Sequence, residues 1–509
     1  MTHTGRDCLR VVGVLLGVLV AALALSASGV SSSPPSEPPP PTDIRLGAED
    51  HGRRVQLQEG EVLVISLEAN PSTGYAWAVD RRSLAAQGQG ILIQTAGEFQ
   101  AREARRSRGT GDADGLPLLG APETQILRFQ AAQAGQTALR LVYRRPWEED
   151  IPPLQEFSLE VEATGAFTGP APAPLSAAAQ PSSQPSIDLG DVGRLDQTSS
   201  FNWCDYGACT PVKNQGNCGS CWAFSTVGIL ESNILYQDGL ERDLSEQYLL
   251  SCNTNGWDCS GGWFAHDYHE SKFPPGEPEA GAVNELDFPY TAEDDSCNPP
   301  HIHHEKIADW YYVGSSNGIP EVANIKQAIL DHGPVSAAMC TGDAFGYYDG
   351  GVFETNECPG LNHAVVLVGW DDNLGTNGAW RLRNSWGPGW GEGGYMWIGY
   401  GVSSVGYGSN YVVYEPACYD LETNVGPAGA GSIVADPPPS CPGGGYEPDT
   451  IVGLTANDNP GWHFSSWAGD AWGGTSPTTI TMDSDNSVSA LFMCDGCTPR
   501  QALPLMMND

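Results

Sequence analysis

The segment Gln215-Gly-Asn-Cys-Gly-Ser-Cys-Trp222 places a thiol, Cys221, one residue after Ser220 and six residues after the carboxamide of Gln215. Ala223, Val227, Leu230 and Ile234 then recur at helical spacing and Gly239 follows. This pattern predicts an amphipathic helix with Ser220 as N-cap and Gly239 as its stop. A thiol at a helix N-terminus faces unpaired amides and the positive end of the dipole, both of which favour thiolate. Far downstream, His363 opens the apolar run His363-Ala-Val-Val-Leu-Val-Gly-Trp370, which reads as a buried strand, and Asn384 stands in Asn384-Ser-Trp-Gly-Pro-Gly-Trp-Gly391. A helix-borne thiol facing a strand-borne imidazole, with an amide to orient the ring, is an activated nucleophile with its base. No metal or cofactor is needed for such chemistry. The stretch His301-Ile-His-His304 has no further ligand at a zinc-site spacing and reads as a solvated loop.

These motifs together resemble the papain family of cysteine peptidases, over about 230 residues. Cys218-Gly-Ser-Cys-Trp222, with His and Asn well downstream, is that family's signature, and Cys259-Ser-Gly-Gly-Trp263 is close to its Cys-x-Gly-Gly turn. The resemblance implies Cys221 as nucleophile, His363 as base and later acid, and Asn384 as the residue holding the imidazole. Gln215 and the Cys221 backbone N–H would form the oxyanion hole. Trp386 would shield the His–Asn contact from water. Trp263, Phe264, Ala338 and Leu361 match positions lining the family's second specificity subsite, so an apolar substrate side chain is expected there. The family pattern pairs Cys218 with Cys259 and Cys252 with Cys297. In such Cys–His pairs the thiol pKa falls to roughly 3–4, so an ion pair is expected before substrate arrives. Asn362 departs from the Asp that often precedes the family's histidine.

These residues belong to the middle of a modular chain. An uncharged apolar run, Val11 to Leu25, follows Arg6 and Arg10 and precedes Ser26-Ala-Ser28, so residues 1–28 read as a signal peptide. Residues 29–42 are a Pro/Ser-rich linker. Residues 43–164 carry strand patterns separated by turn residues and predict an all-β, immunoglobulin-like sandwich. An Ala/Pro/Ser linker spans 165–186. The catalytic module, 187–418, mixes helix and strand patterns, as an α+β papain-like domain with a helical half and a β half would. A Gly/Pro linker is expected over 419–440 and a small all-β module over 441–509, which resembles bacterial β-repeat modules.

Three segments of the sandwich resemble the recognition loops of the chagasin family of papain-type peptidase inhibitors. They are Asn70-Pro71-Ser72-Thr73-Gly74-Tyr75, Leu116-Pro-Leu-Leu-Gly120 and Arg145-Pro146-Trp147. The resemblance implies that the first enters a catalytic cleft while the others flank it. The chain is then expected to be a latent endopeptidase with its own inhibitor domain as intramolecular partner. Two other readings use the same residues: an inhibitor of other peptidases with a degenerate catalytic module, or an acyl-transferring enzyme such as a transglutaminase. Asn384-Ser-Trp-Gly387 and the Gln six residues before the Cys favour the peptidase. Arg102, Arg105, Arg106 and Arg108 form a basic cluster beside the second loop.

Composition sets the surroundings. With 62 acidic against 24 basic residues, the net charge of −38 argues against nucleic acid or an anionic membrane surface as partner. The partners expected are protein or peptide substrates, and the chain is expected to be a monomer. No apolar stretch reaches membrane length. There are fourteen cysteines. Setting aside Cys8 in the leader and Cys221 leaves an even number, consistent with a secreted, disulfide-bonded protein. Proximity suggests Cys204–Cys209, Cys340–Cys358, Cys418–Cys441 and Cys494–Cys497.

Overall fold

The computed structural model describes residues 43–58, 61–80, 90–101, 117–148, 150–165, 198–358, 360–415, 418–441, 444–446 and 450–496. The leader, the first linker, the arginine cluster, Leu116, the linker after Gly165 and Cys497 lie outside these described residues.

The first module is the expected sandwich. Strands β1 (Ile44–Leu46), β2 (Arg54–Gln58), β3 (Val62–Ala69), β4 (Ala76–Val79), β5 (Leu92–Gln100), β6 (Glu123–Ala131), β7 (Gly135–Arg144) and β8 (Gln155–Thr164) form two four-stranded sheets. Their orders are β1-β3-β6-β5 and β2-β8-β7-β4. Each sheet buries one face, so alternate residues turn inward: Leu127 and Phe129 from β6, Leu139 and Leu141 from β7, Phe157 and Leu159 from β8. Ala69 pairs with Glu123 and Ala76 with Arg144. That register brings the chain after β3, before β6 and after β7 out at the same end of the sandwich, so the three loop motifs lie side by side.

The catalytic module has the helical and β halves expected. It contains β9 (Ser200–Asn202), α1 (Cys221–Asp238), α2 (Glu246–Cys252), α3 (Asp267–Glu270), β10 (Ala282–Val283), β11 (His303–Glu305), β12 (Asp309–Tyr312), α4 (Val322–His332), β13 (Val335–Met339), α5 (Asp343–Gly346), β14 (Val352–Phe353), β15 (His363–Asp371), β16 (Ala379–Arg383), β17 (Tyr395–Gly399) and β18 (Tyr407–Val413). The large sheet runs β12-β18-β13-β15-β16-β17-β14, with β9 also pairing β15. The first eight residues of β15 are all buried, as its apolar run implied.

Helix α1 starts and stops where expected, with Gly239 in the left-handed region at φ 69°. It is not amphipathic, however. Every residue from Cys221 to Ile234 is buried, because the helix runs through the middle of the module. The polar residues carried inside find partners: Glu231 meets Lys213 Nζ at 2.7 Å and Thr210 Oγ1 at 3.1 Å. Ser220 precedes the helix without capping it; its hydroxyl lies 2.6 Å from the Tyr290 hydroxyl. The His301–His304 stretch is also not a solvated loop. His301 Nδ1 lies 2.5 Å and His303 Nε2 3.3 Å from opposite oxygens of the Glu277 carboxylate.

The expected linker over 419–440 is instead part of the last module. Strands β19 (Leu421–Gly426) and β20 (Gly431–Asp436) join β21 (Thr450–Asp458), β22 (Trp462–Gly469), β23 (Thr478–Met482) and β24 (Asn486–Cys494) in two three-stranded sheets, β19-β24-β22 and β20-β21-β23. The glycines and prolines there fall at the strand ends (Gly426, Gly431), in the turn between the strands (Pro427, Gly429) and after the second strand (Pro437 to Pro439), and both strands pair along their whole length. Both papain-type disulfides are formed, Cys218–Cys259 and Cys252–Cys297, as are Cys204–Cys209, Cys340–Cys358 and Cys418–Cys441. Among the described residues Cys221 is the free cysteine, and no helix is long and apolar enough to cross a membrane.

Because β15 carries His363 and is packed on both faces, its core tolerates little loss of volume. Leu367→Ala, at a fully buried position, should cost about 2–5 kcal/mol, seen as a lower urea midpoint for the catalytic module.

Candidate active site

Helix α1 delivers Cys221 as its first residue, and β15 delivers His363 at its N-terminal end. Asn384 follows β16 directly. Its Oδ1 accepts from His363 Nε2 at 2.8 Å and from the Ser385 amide at 2.8 Å. With the Nε2 proton held there, Nδ1 is the basic nitrogen, and it has no hydrogen-bond partner among the described residues. Trp386 lies over the imidazole, ring centroids 5.2 Å apart. Gln215 is fully buried and pinned on both sides: Oε1 accepts from Ser385 Oγ at 2.6 Å, and Nε2 donates to Cys218 O at 2.9 Å. An amide nitrogen has two hydrogens, so one remains to donate into the cleft. The Cys218–Cys259 disulfide and the Tyr290 hydroxyl, which donates to Gln215 O at 2.9 Å, hold this segment in place.

The cleft is not open. The Asn70–Tyr75 loop fills it, with Ser72 and Thr73 fully buried. Trp386 Nε1 donates to Ser72 O at 2.8 Å, and the Ser72 hydroxyl, which donates to Asn70 Oδ1 at 2.8 Å, lies close enough to the Cys221 sulfur to act against the rise of its pKa. The loop is held from within by Asn70, whose Oδ1 accepts from the Ser72 amide at 3.2 Å and whose Nδ2 donates to Gly120 O at 2.7 Å. Pro71 begins the short 3-10 turn, and Gly74 closes it at φ 77°. A β-carbon on Gly74 would run into the Trp147 ring and come within 3.1 Å of Trp386.

The second loop lies along the other wall as an added strand. Leu119 N donates to Gly262 O at 2.8 Å, Gly262 N donates back to Leu119 O at 2.9 Å, and Gly120 N donates to Asn362 O at 2.7 Å. Leu119 is fully buried in one cluster with Trp263, Phe264 and Ala338, against which Leu361 packs. All four residues matched to the second subsite therefore belong with this inserted leucine. At the third loop Trp147 stacks on Trp386 (5.4 Å, 13°) and Pro146 approaches Gly346. Arg145 is buried and bridges the modules: Nε donates to Thr73 O at 2.8 Å, Nη1 to Asn214 Oδ1 at 2.9 Å and Nη2 to Gly216 O at 3.0 Å. Its charge is met by Glu148 at 3.2 Å.

This enclosure changes the electrostatics expected from sequence. Burial pushes the Cys221 thiol up to about 12, against the lowering effect of the Ala364, Trp222 and Cys221 amides. Burial pushes the His363 imidazole down to about 4, against its bond to Asn384. The covered site thus favours a neutral thiol and a neutral imidazole rather than the ion pair, because each charge has lost its water.

Several participants left no recognisable mark in the sequence. Asn214 is one. Lys213 is another: its Nζ lies 2.7 Å from Glu231, 2.7 Å from Asp243 and 3.1 Å from Glu246, which fixes the backbone leading to Gln215. Glu123, at the start of β6, accepts from Asn362 Nδ2 at 2.9 Å across the two modules. Lys213 and Asn214 directly precede Gln215 in the chain, but the partners that give them and Glu123 their roles come from distant segments.

A cysteine on a buried helix, a strand-borne histidine oriented by asparagine and a carboxamide beside the thiol define a cysteine-peptidase site. The chain matches family models described as papain family cysteine protease over residues 197–415, chagasin family peptidase inhibitor I42 over 56–161, and divergent InlB B-repeat domain over 421–495. It is 34% identical over 210 residues to macrodontain-1 of Ananas macrodontes, covering 41% of this chain and 91% of that protein. It is 33% identical over 223 residues to fruit bromelain of Ananas comosus, covering 43% of this chain and 60% of that protein. The solved structure of the bromelain protease from Ananas comosus in complex with the E64 inhibitor aligns at 29% identity with a TM-score of 0.36, covering 43% of this chain and 100% of that one. The chain spans about 60% of the length of fruit bromelain and of ananain, both of Ananas comosus. It belongs to the papain family of cysteine proteases.

Between the modules, Gly120 packs backbone on backbone against Gly219. A β-carbon at Gly120 would meet Gly219 O inside van der Waals contact, at a residue whose φ is 89°. Gly120→Ala should therefore lift the second loop and expose the cleft. The expected result is faster alkylation of Cys221 by iodoacetamide than in the unsubstituted chain.

Proposed function

We propose that this chain is an exported cysteine endopeptidase held latent by its own chagasin-like module. The observation that carries the reading is the full burial of Ser72 and Thr73 in the cleft, with Trp386 Nε1 donating to Ser72 O at 2.8 Å. Export is supported by the disulfide-rich catalytic module and by the leader-like residues 1–28.

Hydrolysis begins when the sandwich leaves. Water returns to the cleft, the effect of burial on both groups falls, and the helix-terminal amides favour transfer of the Cys221 proton to His363 Nδ1. An extended peptide takes the place of Leu119, pairing with Gly262 and placing an apolar side chain among Trp263, Phe264, Ala338 and Leu361. The thiolate attacks the scissile carbonyl, and the oxyanion is met by the Cys221 amide and the free hydrogen of Gln215 Nε2. His363 gives its proton to the leaving amine, leaving an acyl-thioester. The imidazole then takes a proton from water, whose oxygen attacks the thioester; Cys221 leaves as thiolate and the carboxylic product departs. Asn384 keeps the ring aimed throughout.

The loop itself is a poor substrate. Asn70 O accepts from Thr73, Pro71 O from the Gly74 amide, Ser72 O from Trp386 and Thr73 O from Arg145. Each carbonyl is held by a donor other than the oxyanion hole, so none is presented for attack.

Two measurements test this reading. The full-length chain should hydrolyse a fluorogenic peptide slowly. Cutting an inserted protease site between residues 166 and 197 should raise the rate, more so on dilution, because a roughly millimolar effective concentration is replaced by the bulk one. An equal rate before and after cutting, at every dilution, would contradict cis latency. In the cut, diluted enzyme, Gln215→Ala should lower turnover about a hundredfold, while Cys221→Ala should abolish it.

A further inference from the structure

Glu123 lies where the catalytic machinery has no use for it. It is 4% exposed, at the loop end of the sandwich core and against the residue preceding the catalytic imidazole. One carboxyl oxygen accepts from Asn362 Nδ2 at 2.9 Å; the other, Oε2, is buried with no hydrogen-bond partner among the described residues. Asn362 is aimed at it from behind. Its Oδ1 accepts from the Thr341 amide at 2.8 Å and from Thr341 Oγ1 at 3.2 Å, so the amide cannot flip without losing both, and Nδ2 must face the sandwich. An aspartate at this position would set two carboxyl groups against each other.

We propose that Glu123 and Asn362 are a matched pair through which this cleft recognises this sandwich, and that the pair makes docking proton-dependent. The inference rests on the reading of the docked sandwich as the latency device. A sealed carboxylate with one neutral donor and a bare second oxygen is poorly solvated, so the docked state holds the carboxyl protonated. Burial pushes it up to about 7, against the bond from Asn362.

The surrounding groups do not offset this. Asp343 of α5 accepts from Gln125 Nε2 at 3.2 Å and faces Gly97 of β5; burial and then Glu357 push it up to about 6. Glu357 is raised by burial although the Ala344 and Phe345 amides donate to it. His363 and Cys221 are neutral in the closed cleft. Glu68 on β3 and Glu98 on β5 are the acids of the neighbouring strands, and Arg128 on β6 is paired with Glu98 at 3.0 Å.

The direction follows. Once undocked, Glu123 titrates near the ordinary glutamate value of about 4.3. Docking therefore binds a proton and is strongest below that pH. It weakens as pH rises through the window up to about 7, the docked value, and levels off above it. The undocked fraction should grow by roughly tenfold per pH unit in that window, on the order of a hundredfold in all.

The test is the rate at which iodoacetamide alkylates Cys221 in the full chain, followed by mass spectrometry from mildly acidic to mildly alkaline pH, in the wild type and in Glu123→Gln. The thiol's own titration is common to both, so the ratio of the two rates isolates Glu123. That ratio should climb about a hundredfold with pH and then level. A second arm does not depend on that variant alone. Asn362→Asp should speed alkylation at neutral pH at least tenfold, and the swapped pair Glu123→Gln with Asn362→Asp should return it toward the slow rate, which a purely structural role would not do. A ratio flat with pH, together with a swapped pair no slower than Asn362→Asp, overturns the proposal while slow wild-type alkylation leaves latency standing. Alkylation of the wild type as fast as a free thiol at every pH would overturn the docked cleft itself, and this inference with it.

Discussion

Water has no path to Cys221 or His363 while the sandwich is docked, and most features of the site follow from that exclusion. The pair that makes a papain-type enzyme reactive depends on two opposite charges existing side by side. A dry cleft removes the solvation of both, so the closed site holds a thiol and an imidazole in their neutral forms. The closed cleft is then blocked in two ways: substrate has no room, and the thiol and imidazole are not in their charged forms. In the proposed latency, one event lifts both conditions, the departure of the loop end of the sandwich.

The interface that maintains the exclusion combines several kinds of contact. Leu119 and Gly262 pair as adjacent strands, which uses backbone geometry common to any extended chain. Trp147 on Trp386 adds aromatic area over the His–Asn contact. Arg145 is the most committed group, since its guanidinium ties the central loop to both modules and lies over the Tyr75 ring. Removing such a buried, fully bonded charge leaves its partners unpaired, which is costly in general. Against these stands Glu123, whose second oxygen is unmet among the described residues. The interface thus contains one element that weakens when it ionises.

Much of this was legible in the sequence because short motifs carry it. The Cys221 helix, the His363 strand, Asn384 and the three loop motifs each depend on residues close together in the chain, and the papain-type disulfides, which span 41 and 45 residues, followed from the family resemblance. What was not legible depends on distant packing. Periodicity at Ala223, Val227, Leu230 and Ile234 suggested one apolar face, yet α1 runs through the middle of the module and is enclosed all round, with Glu231 inside it met by Lys213 and Thr210. The strands Leu421–Gly426 and Gly431–Asp436 were hidden by the glycines and prolines around them and exist through pairing with β24 and β21. His301 and His303 looked solvated until Glu277 was placed between them. The Cys–His ion pair was expected before substrate arrives, and the covered cleft favours the neutral thiol and imidazole instead.

The central claim is that the sandwich closes the cleft of its own chain in solution. Amide hydrogen exchange at Leu119, Gly120 and Gly262 tests it most directly, because among the described residues these N–H groups bond only across the interface. The account predicts strong protection of all three, unchanged on serial dilution of the full-length chain. Exchange at the rate of an exposed loop, or protection that fades with dilution, would contradict it.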